Sequence, residues 1–174
     1  MSIAVGSPTF AQLGPAESQP SVRIDEARIV PDTTSTVGRM SAGKLCLPSG
    51  VVRLSDFVAN QRELKLVAQA AADEVISESP ITGARSSLRV AISIEAIDAK
   101  FCQRKYGAFG MGDRRSLTGH ANFQFAWRTL DAPAAPWIYQ TVEVRPAKGE
   151  ARTLEQFLPE ALRLLISGSI LTAR

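Results

Sequence analysis

Residue types and motifs that enzymes and metal sites depend on are scarce in this chain. Its 174 residues include only two cysteines and one histidine. A protein metal site of the zinc type needs four Cys, His or carboxylate ligands, so we expect no metal. His120 stands beside a glycine at the start of a predicted strand, and no Gly-x-Ser-x-Gly nucleophile motif is present. We therefore predict a solvent-facing histidine, no catalytic residues and no cofactor.

A strong charge of one sign and a long apolar run are also missing. The net charge is only +3, and charged residues make up 21% of the chain. Nucleic-acid binders usually carry a strongly basic stripe, so we predict no nucleic-acid partner. No apolar run reaches the roughly 18 residues of a membrane span, which predicts no transmembrane segment. The 45% hydrophobic content is ordinary for a globular domain.

The composition changes near residue 20, which indicates a domain boundary. Residues 12–20 are rich in Gly, Pro, Ser and Gln, as in an unpacked linker. Before them, Thr9-Phe10-Ala11 resembles the small-x-small end of a secretory signal peptide. We interpret residues 1–20 as either a disordered tail or a signal-peptide remnant. Residues 21–174 are predicted to form a single domain.

The two cysteines, Cys46 and Cys102, have no Cys or His neighbours that would suggest a metal or redox motif. We predict that they form a structural disulfide, which would stabilise the fold by roughly 4 kcal/mol if unstrained. Such bonds persist in oxidising compartments, so a periplasmic or secreted protein is expected. The alternative is two buried free thiols in a cytosolic domain.

Apolar periodicity predicts six strands and two helices. Alternating residues indicate strands, with bulges expected near Asp25-Glu26 and after Ala96. Pro48-Ser49-Gly50 is typical of a turn and predicts a small hairpin. Spacings of three and four indicate helices. The predicted strands are residues 21–30, 44–47, 51–54, 88–96, 120–129 and 137–144, and the predicted helices are residues 60–77 and 153–171.

These elements predict an α+β fold, a two-layer sandwich. Short connections between consecutive strands favour a mainly antiparallel sheet of four to six strands. Both amphipathic helices have only the sheet to pack against. Thr153 and Gln156 fit a capping box. Pro159 either kinks the second helix or stands at its first position.

Two clusters of side chains are candidates for an interaction surface. Arg104, Lys105, Arg114 and Arg115 flank a predicted loop over residues 106–116, whose glycines resemble a phosphate-binding loop only loosely. This basic region could meet an acidic partner, a glycan or lipid headgroups, or could be a solvated strand end. Trp137 and Tyr139 form either an exposed aromatic patch or a small cluster under a loop.

The pattern resembles a group of bacterial envelope proteins. These are the YajG-type lipoproteins, the LpoB-type synthase activators and the N-terminal region of CsgG-like secretion proteins. The likeness begins in a helix around residues 67–75 and continues in the strand at 88–97. It ends in the strand pair 121–127 and 137–144, followed by a terminal helix.

The resemblance implies a non-enzymatic accessory protein of the periplasm or cell envelope that acts by binding an envelope protein partner. An outer-membrane association is part of the same expectation. The alternative is a small-ligand or lipid carrier that uses the space between the sheet and the helices.

Overall fold

The structure is a computed structural model. It describes residues 21–78, 87–106, 114–132, 134–146 and 153–172. A 3₁₀ turn follows the third strand at Leu54–Asp56, another precedes the second helix at Leu154–Gln156, and a π-helical turn follows that helix at Ile166–Ile170. The principal elements are β1 (Val22–Ile29), β2 (Thr36–Ala42), β3 (Leu47–Arg53), α1 (Gln61–Glu78), β4 (Leu88–Tyr106), β5 (Arg114–Thr129), β6 (Ile138–Val144) and α2 (Phe157–Leu165).

The described strands form one six-stranded sheet with two helices packed on it, which confirms the predicted α+β class. The sheet is mixed. Three pairings are antiparallel, β2–β3, β4–β5 and β5–β6, and two are parallel, β1–β4 and β2–β4. The long strand β4 holds β1 and β2 one after the other along the same edge, at residues 88–94 and 99–103. The β4–β5 hairpin therefore lies at the centre of the sheet.

The predicted bulges are present. The β1–β4 register shifts between Ile24 and Glu26, and the β4–β5 register shifts between Ile94 and Ala96. The second shift matters for packing because a one-residue slip exchanges the two faces of a strand. It keeps Ile92 and Ile94 on the same face as Ala99.

The position of the predicted hairpin turn was wrong. The structure places the turn at residues 43–46, where Gly43 has φ +82° and Cys46 has φ +49°. Pro48, Ser49 and Gly50 lie inside β3. Because β3 is an edge strand, a proline there removes no hydrogen bond of the ladder. Pro48-Ser49-Gly50 therefore indicates an irregular edge strand and not a turn.

The predicted loop at 106–116 was partly wrong, because Tyr106 and residues 114–116 belong to β4 and β5. Residues 107–113 lie outside the described part of the chain. Each of the two strands continues well beyond the residues that the helices cover.

One face of the sheet is covered by both helices and carries the core. The aromatic side chains of β5 lie at its centre, and the Phe57 and Phe123 rings meet edge to face with centroids 5.4 Å apart. Burial of each such side chain contributes about 1.5–3 kcal/mol. On α1 the buried residues include three alanines, which let the helix lie close to the strands. The largest fully buried side chains of the sheet on this face are Ile24, Ile92, Ile94, Phe123, Phe125 and Trp127.

The second helix begins as predicted and ends differently. Thr153 and Gln156 form the capping box, and Pro159 lies in the first turn of α2, where backbone N–H groups have no intrahelical partner. The π-helical turn after Leu165 adds a residue to the helical repeat and rotates the buried face toward Ile166 and Ile170. Leu164 lies within α2, before this turn and off the buried face that carries Leu158, Ala161 and Leu165, and is 44% exposed.

Candidate functional site

The opposite face of the sheet, which we call the open face, carries a groove where β2, β3, β4 and β5 lie side by side. Its volume is about 850 Å³. The side chains of alternate strand positions line it, because paired residues of neighbouring strands share a face. We call this site the open-face groove, and it is lined by Thr36, Arg39, Ser41, Val51, Asp98, Lys100, Cys102 and Thr118.

Two glycines let the strands approach closely beneath the groove. A Cβ atom on Gly38 would lie 2.0 Å from the carbonyl oxygen of Ala99, and one on Gly119 would lie 2.0 Å from that of Lys100. Gly119 also has φ +126°, a conformation that side chains rarely adopt. Both positions therefore require glycine, and together they shape β4 from its two sides.

The charge in the groove is mainly positive. Arg39 stands opposite Lys100 in the β2–β4 register, and the Lys100 ammonium lies 3.3 Å from the Asp98 carboxylate. The side chains of both Lys100 and Asp98 are more than half exposed, so water screens this pair and leaves it weak. His120, predicted to face solvent, stands opposite Lys100 and is half-buried. The groove therefore presents an exposed cationic surface with one carboxylate.

The predicted pair Cys46–Cys102 is at disulfide distance, with the Sγ atoms 2.08 Å apart. Cys102 lies on β4 at the floor of the groove, and Cys46 lies in the β2–β3 turn. The bond therefore ties the turn to the central hairpin. The Arg104 guanidinium lies beside it, with Nη2 3.8 Å from the Sγ atom of Cys46.

Sequence reasoning missed an exposed apolar tip next to this bond. Leu45 is 82% exposed and Leu47 is 62% exposed, one on each side of Cys46 in the chain. We call these two residues the hairpin tip. The segment was predicted to be a strand, in which alternate leucines would be half-buried. The only signal for exposure is the neighbouring Gly43, which permits the turn.

The residues of the predicted interaction surface do not all come together. Arg104 is exposed at the disulfide. Lys105 stands opposite Arg115 in the β4–β5 register, and Tyr106 stands opposite Arg114. In the backbone register, the predicted basic region therefore lies at the same end of the β4–β5 hairpin as the groove.

The predicted aromatic pair lies far from that region. Tyr139 stands opposite Ala126, whereas Arg104 stands opposite Ser116. The intervening residues of β5 span on the order of 30 Å at the rise of a strand. Trp137 is half-buried under the Arg128 guanidinium, whose carbon is 4.8 Å from the ring centroid, and Tyr139 is exposed. The basic cluster and the aromatic pair lie on either side of the same predicted strand in the sequence, and this order alone did not indicate how far apart they are in the fold.

Ion pairs cover the open face at the end away from the groove. The Asp25 carboxylate accepts from Arg89 Nε at 2.5 Å and from Arg23 Nε at 2.8 Å. The hydrogen bond from Arg89 holds the pKa of Asp25 below its usual value, and nearby positive charges add to this effect while desolvation opposes it. The carboxylate there is held by two arginines and is only 13% exposed, whereas the Asp98 side chain in the groove is 58% exposed, so the groove is the more open site.

The described residues contain neither a candidate metal cluster nor a membrane-spanning helix. Within the described ranges, no three His, Cys, Asp or Glu side chains gather closely enough to hold a metal ion. None of the helices in the part of the chain that the structure describes is both long and apolar enough to span a membrane.

Comparison with known proteins identifies no family. No protein-family model matches the chain, and no curated protein matches it. Among solved structures, one described as "Crystal structure of uncharacterized protein" is similar at 6% sequence identity with a TM-score of 0.38. The match covers 89% of this chain and 92% of that chain. A likeness at this level carries no argument about function.

Proposed function

We propose that this protein is a non-enzymatic accessory protein of the periplasm or cell envelope that acts by binding a protein partner at the open-face groove. The observation that carries the proposal is the disulfide between Cys46 and Cys102. It ties the turn that carries two exposed leucines to β4, at the floor of a cationic groove. Exposed apolar residues lower the solubility of a protein. A tip of this kind that a covalent bond holds in place is therefore explained if a partner covers it.

The disulfide also supports the compartment. Glutathione and thioredoxin keep most cytosolic thiols reduced, whereas the periplasm and the extracellular space allow such bonds to persist. That chemistry supports an exported location. An envelope partner is the corresponding expectation.

The groove favours a partner segment with acidic and apolar residues. Arg39 and Lys100 would attract carboxylates, and Val51, 55% exposed, adds an apolar residue to the lining of the groove. Opposite charges steer such encounters, and desolvated apolar contacts supply most of the affinity. A glycan or lipid headgroup would satisfy only the cationic half of this surface.

Site-specific photo-cross-linking in the source cell tests the proposal. A photoreactive residue at Val51 is expected to give one discrete protein adduct, and Arg39→Glu with Lys100→Glu is expected to abolish it. The matched control is the same photoreactive residue at Leu66, which is exposed on α1 away from the groove. Equal labelling at both positions, or no adduct at Val51, would contradict the proposed site.

A carrier of a small anionic ligand or lipid is the second candidate, and the size of the groove favours it. Ligand pockets typically measure about 300–1,000 Å³, and this groove falls within that range. The ligand would then lie in the open-face groove, however, and not between the sheet and the helices as predicted. The space between the sheet and the helices is filled by buried side chains such as Phe123, Trp127 and Phe157.

Native mass spectrometry of protein purified without detergent distinguishes the two candidates. A carrier should retain a small molecule that is lost in the Arg39→Glu, Lys100→Glu variant. Retention of nothing, together with a protein adduct at Val51, would favour the protein-binding function.

A further inference from the structure

The sheet has three outer edges, and α1 blocks the first of them. The Gln69 side chain reaches the outer side of β1, where its oxygen accepts from the Ile24 N–H at 2.9 Å and its amide donates to the Val22 carbonyl at 2.9 Å. Lys65 Nζ donates to the Asp25 carbonyl at 2.7 Å in the same way. These side chains occupy the positions that a neighbouring strand would use, so β1 cannot accept another strand.

The second edge, β3, is irregular. It contains Pro48 and Gly50, and its register against β2 shifts between them. Proline and bulges are the devices by which natural sheets prevent pairing with another chain. This edge is therefore a poor template for a further strand.

The third edge, β6, has no such protection among the described residues. Its seven residues contain neither proline nor glycine, and its register with β5 is unbroken from Ile138 to Val144. It ends the strand order of the sheet. Ile138 is 42% exposed and Tyr139 is 72% exposed. A regular, partly apolar edge of this kind is a site for strand addition.

We propose that β6 pairs with β6 of a second copy of this chain, antiparallel about a two-fold axis at Thr141, and that the two sheets become continuous. Buried Val142 and Val144 mark the helix-covered face, and in this register one apolar pair, Ile138 with Val144, meets on that face at each end of the contact. The single charged residue of β6, Glu143, faces a tyrosine hydroxyl instead of a like charge, so the strand is complementary to itself. The facing positions are Ile138 with Val144, Tyr139 with Glu143, Gln140 with Val142, and Thr141 with Thr141 of the second copy.

The two-fold position makes the test specific. Because Thr141 would face its own copy, either Thr141→Lys or Thr141→Glu places two like charges directly opposite each other, which destabilises a strand pair. Thr141 is exposed, so neither substitution disturbs the core. Sedimentation analysis over a concentration series is expected to show a dimer for the natural chain and a monomer for each variant. An equimolar mixture of the two variants is expected to form a dimer again, since Lys then faces Glu.

The control is Val51→Lys, an exposed position on the opposite edge strand, which should leave the dimer intact. A natural chain that remains monomeric at every concentration would overturn the proposal. A dimer that survives both single substitutions would also overturn it, because the contact would then lie elsewhere. The proposal does not rest on the proposed function, since no residue of β6 is among those that line the groove.

Discussion

The two ends of the β4–β5 hairpin are stabilised in different ways. At the end formed by Leu88–Ile97 and Ala121–Thr129, two helices cover one face, and large side chains such as Phe123 and Trp127 are fully buried. At the other end, β2 and β3 flank the hairpin, the glycines bring the strands close, and a disulfide ties the turn to β4. The first end depends on hydrophobic burial, and the second adds a covalent bond to a smaller buried set that includes Val52 and Phe101.

This difference shows how a small domain can present apolar residues to solvent without losing its shape. The β2–β3 hairpin buries Val37 and Val52 but leaves Leu45 and Leu47 exposed at its tip. The disulfide compensates by restricting the unfolded chain. The exposed residues of the disulfide-bonded end can then serve in binding, while the helix-covered end supplies the stability of the fold.

The largest effect is expected at the helix-covered end. Phe123→Ala removes a fully buried ring that packs against Phe57 and Phe125, and should lower the free energy of unfolding by about 3–5 kcal/mol. Leu66→Ala, at an exposed position of α1, is the control and should change it by less than about 0.5 kcal/mol. Denaturant titration measures both. Similar losses for the two variants would refute the assignment of the core.

Removing the disulfide should have the next largest effect. Cys46→Ala with Cys102→Ala should cost about 2–4 kcal/mol. Hydrogen exchange should become faster in β2 and β3, with residues 88–94 of β4 still protected. If exchange rises equally at both ends, the two ends are one cooperative unit and the contrast between them fails.

A smaller effect is expected where β4 and β5 approach each other. Gly119→Ala would place a methyl group against a backbone carbonyl, so the strands must separate, at a cost of about 1–3 kcal/mol. Gly50→Ala on the edge strand meets its nearest atom only at 4.0 Å and is the matched control. Thermal unfolding compares the two, and equal melting temperatures would mean that the close approach is not required.

The smallest effect concerns pH at the ion-paired end. Because the pKa of Asp25 is lowered in the folded state, its carboxylate stabilises the fold above the unfolded pKa of about 3.9, and this contribution is lost as the pH falls through the lower folded value. The stability difference between the natural chain and Asp25→Asn should be constant near neutrality and shrink below about pH 4. A difference that grows in acid would contradict the ion pairs with Arg23 and Arg89.

Local patterns predicted the elements better than their partners. The α+β class, α1, the two bulges and the capping box at Thr153 follow from periodicity and short motifs, which depend only on neighbouring residues. The parallel pairing of β1 and β2 with β4 depends on distant segments. So does the groove, which takes side chains from four strands and has no local signature. The exposure of Leu164 likewise reflects packing, because only the face of α2 that carries Leu158, Ala161 and Leu165 meets the core.

Trapping of free thiols in protein recovered from its own cell tests the central claim most directly. The cell is quenched in acid, the protein is alkylated before and after reduction, and its mass is measured. We predict that Cys46 and Cys102 resist alkylation until a reductant is added. Two alkylated cysteines without reductant would contradict both the covalent tether and the exported location.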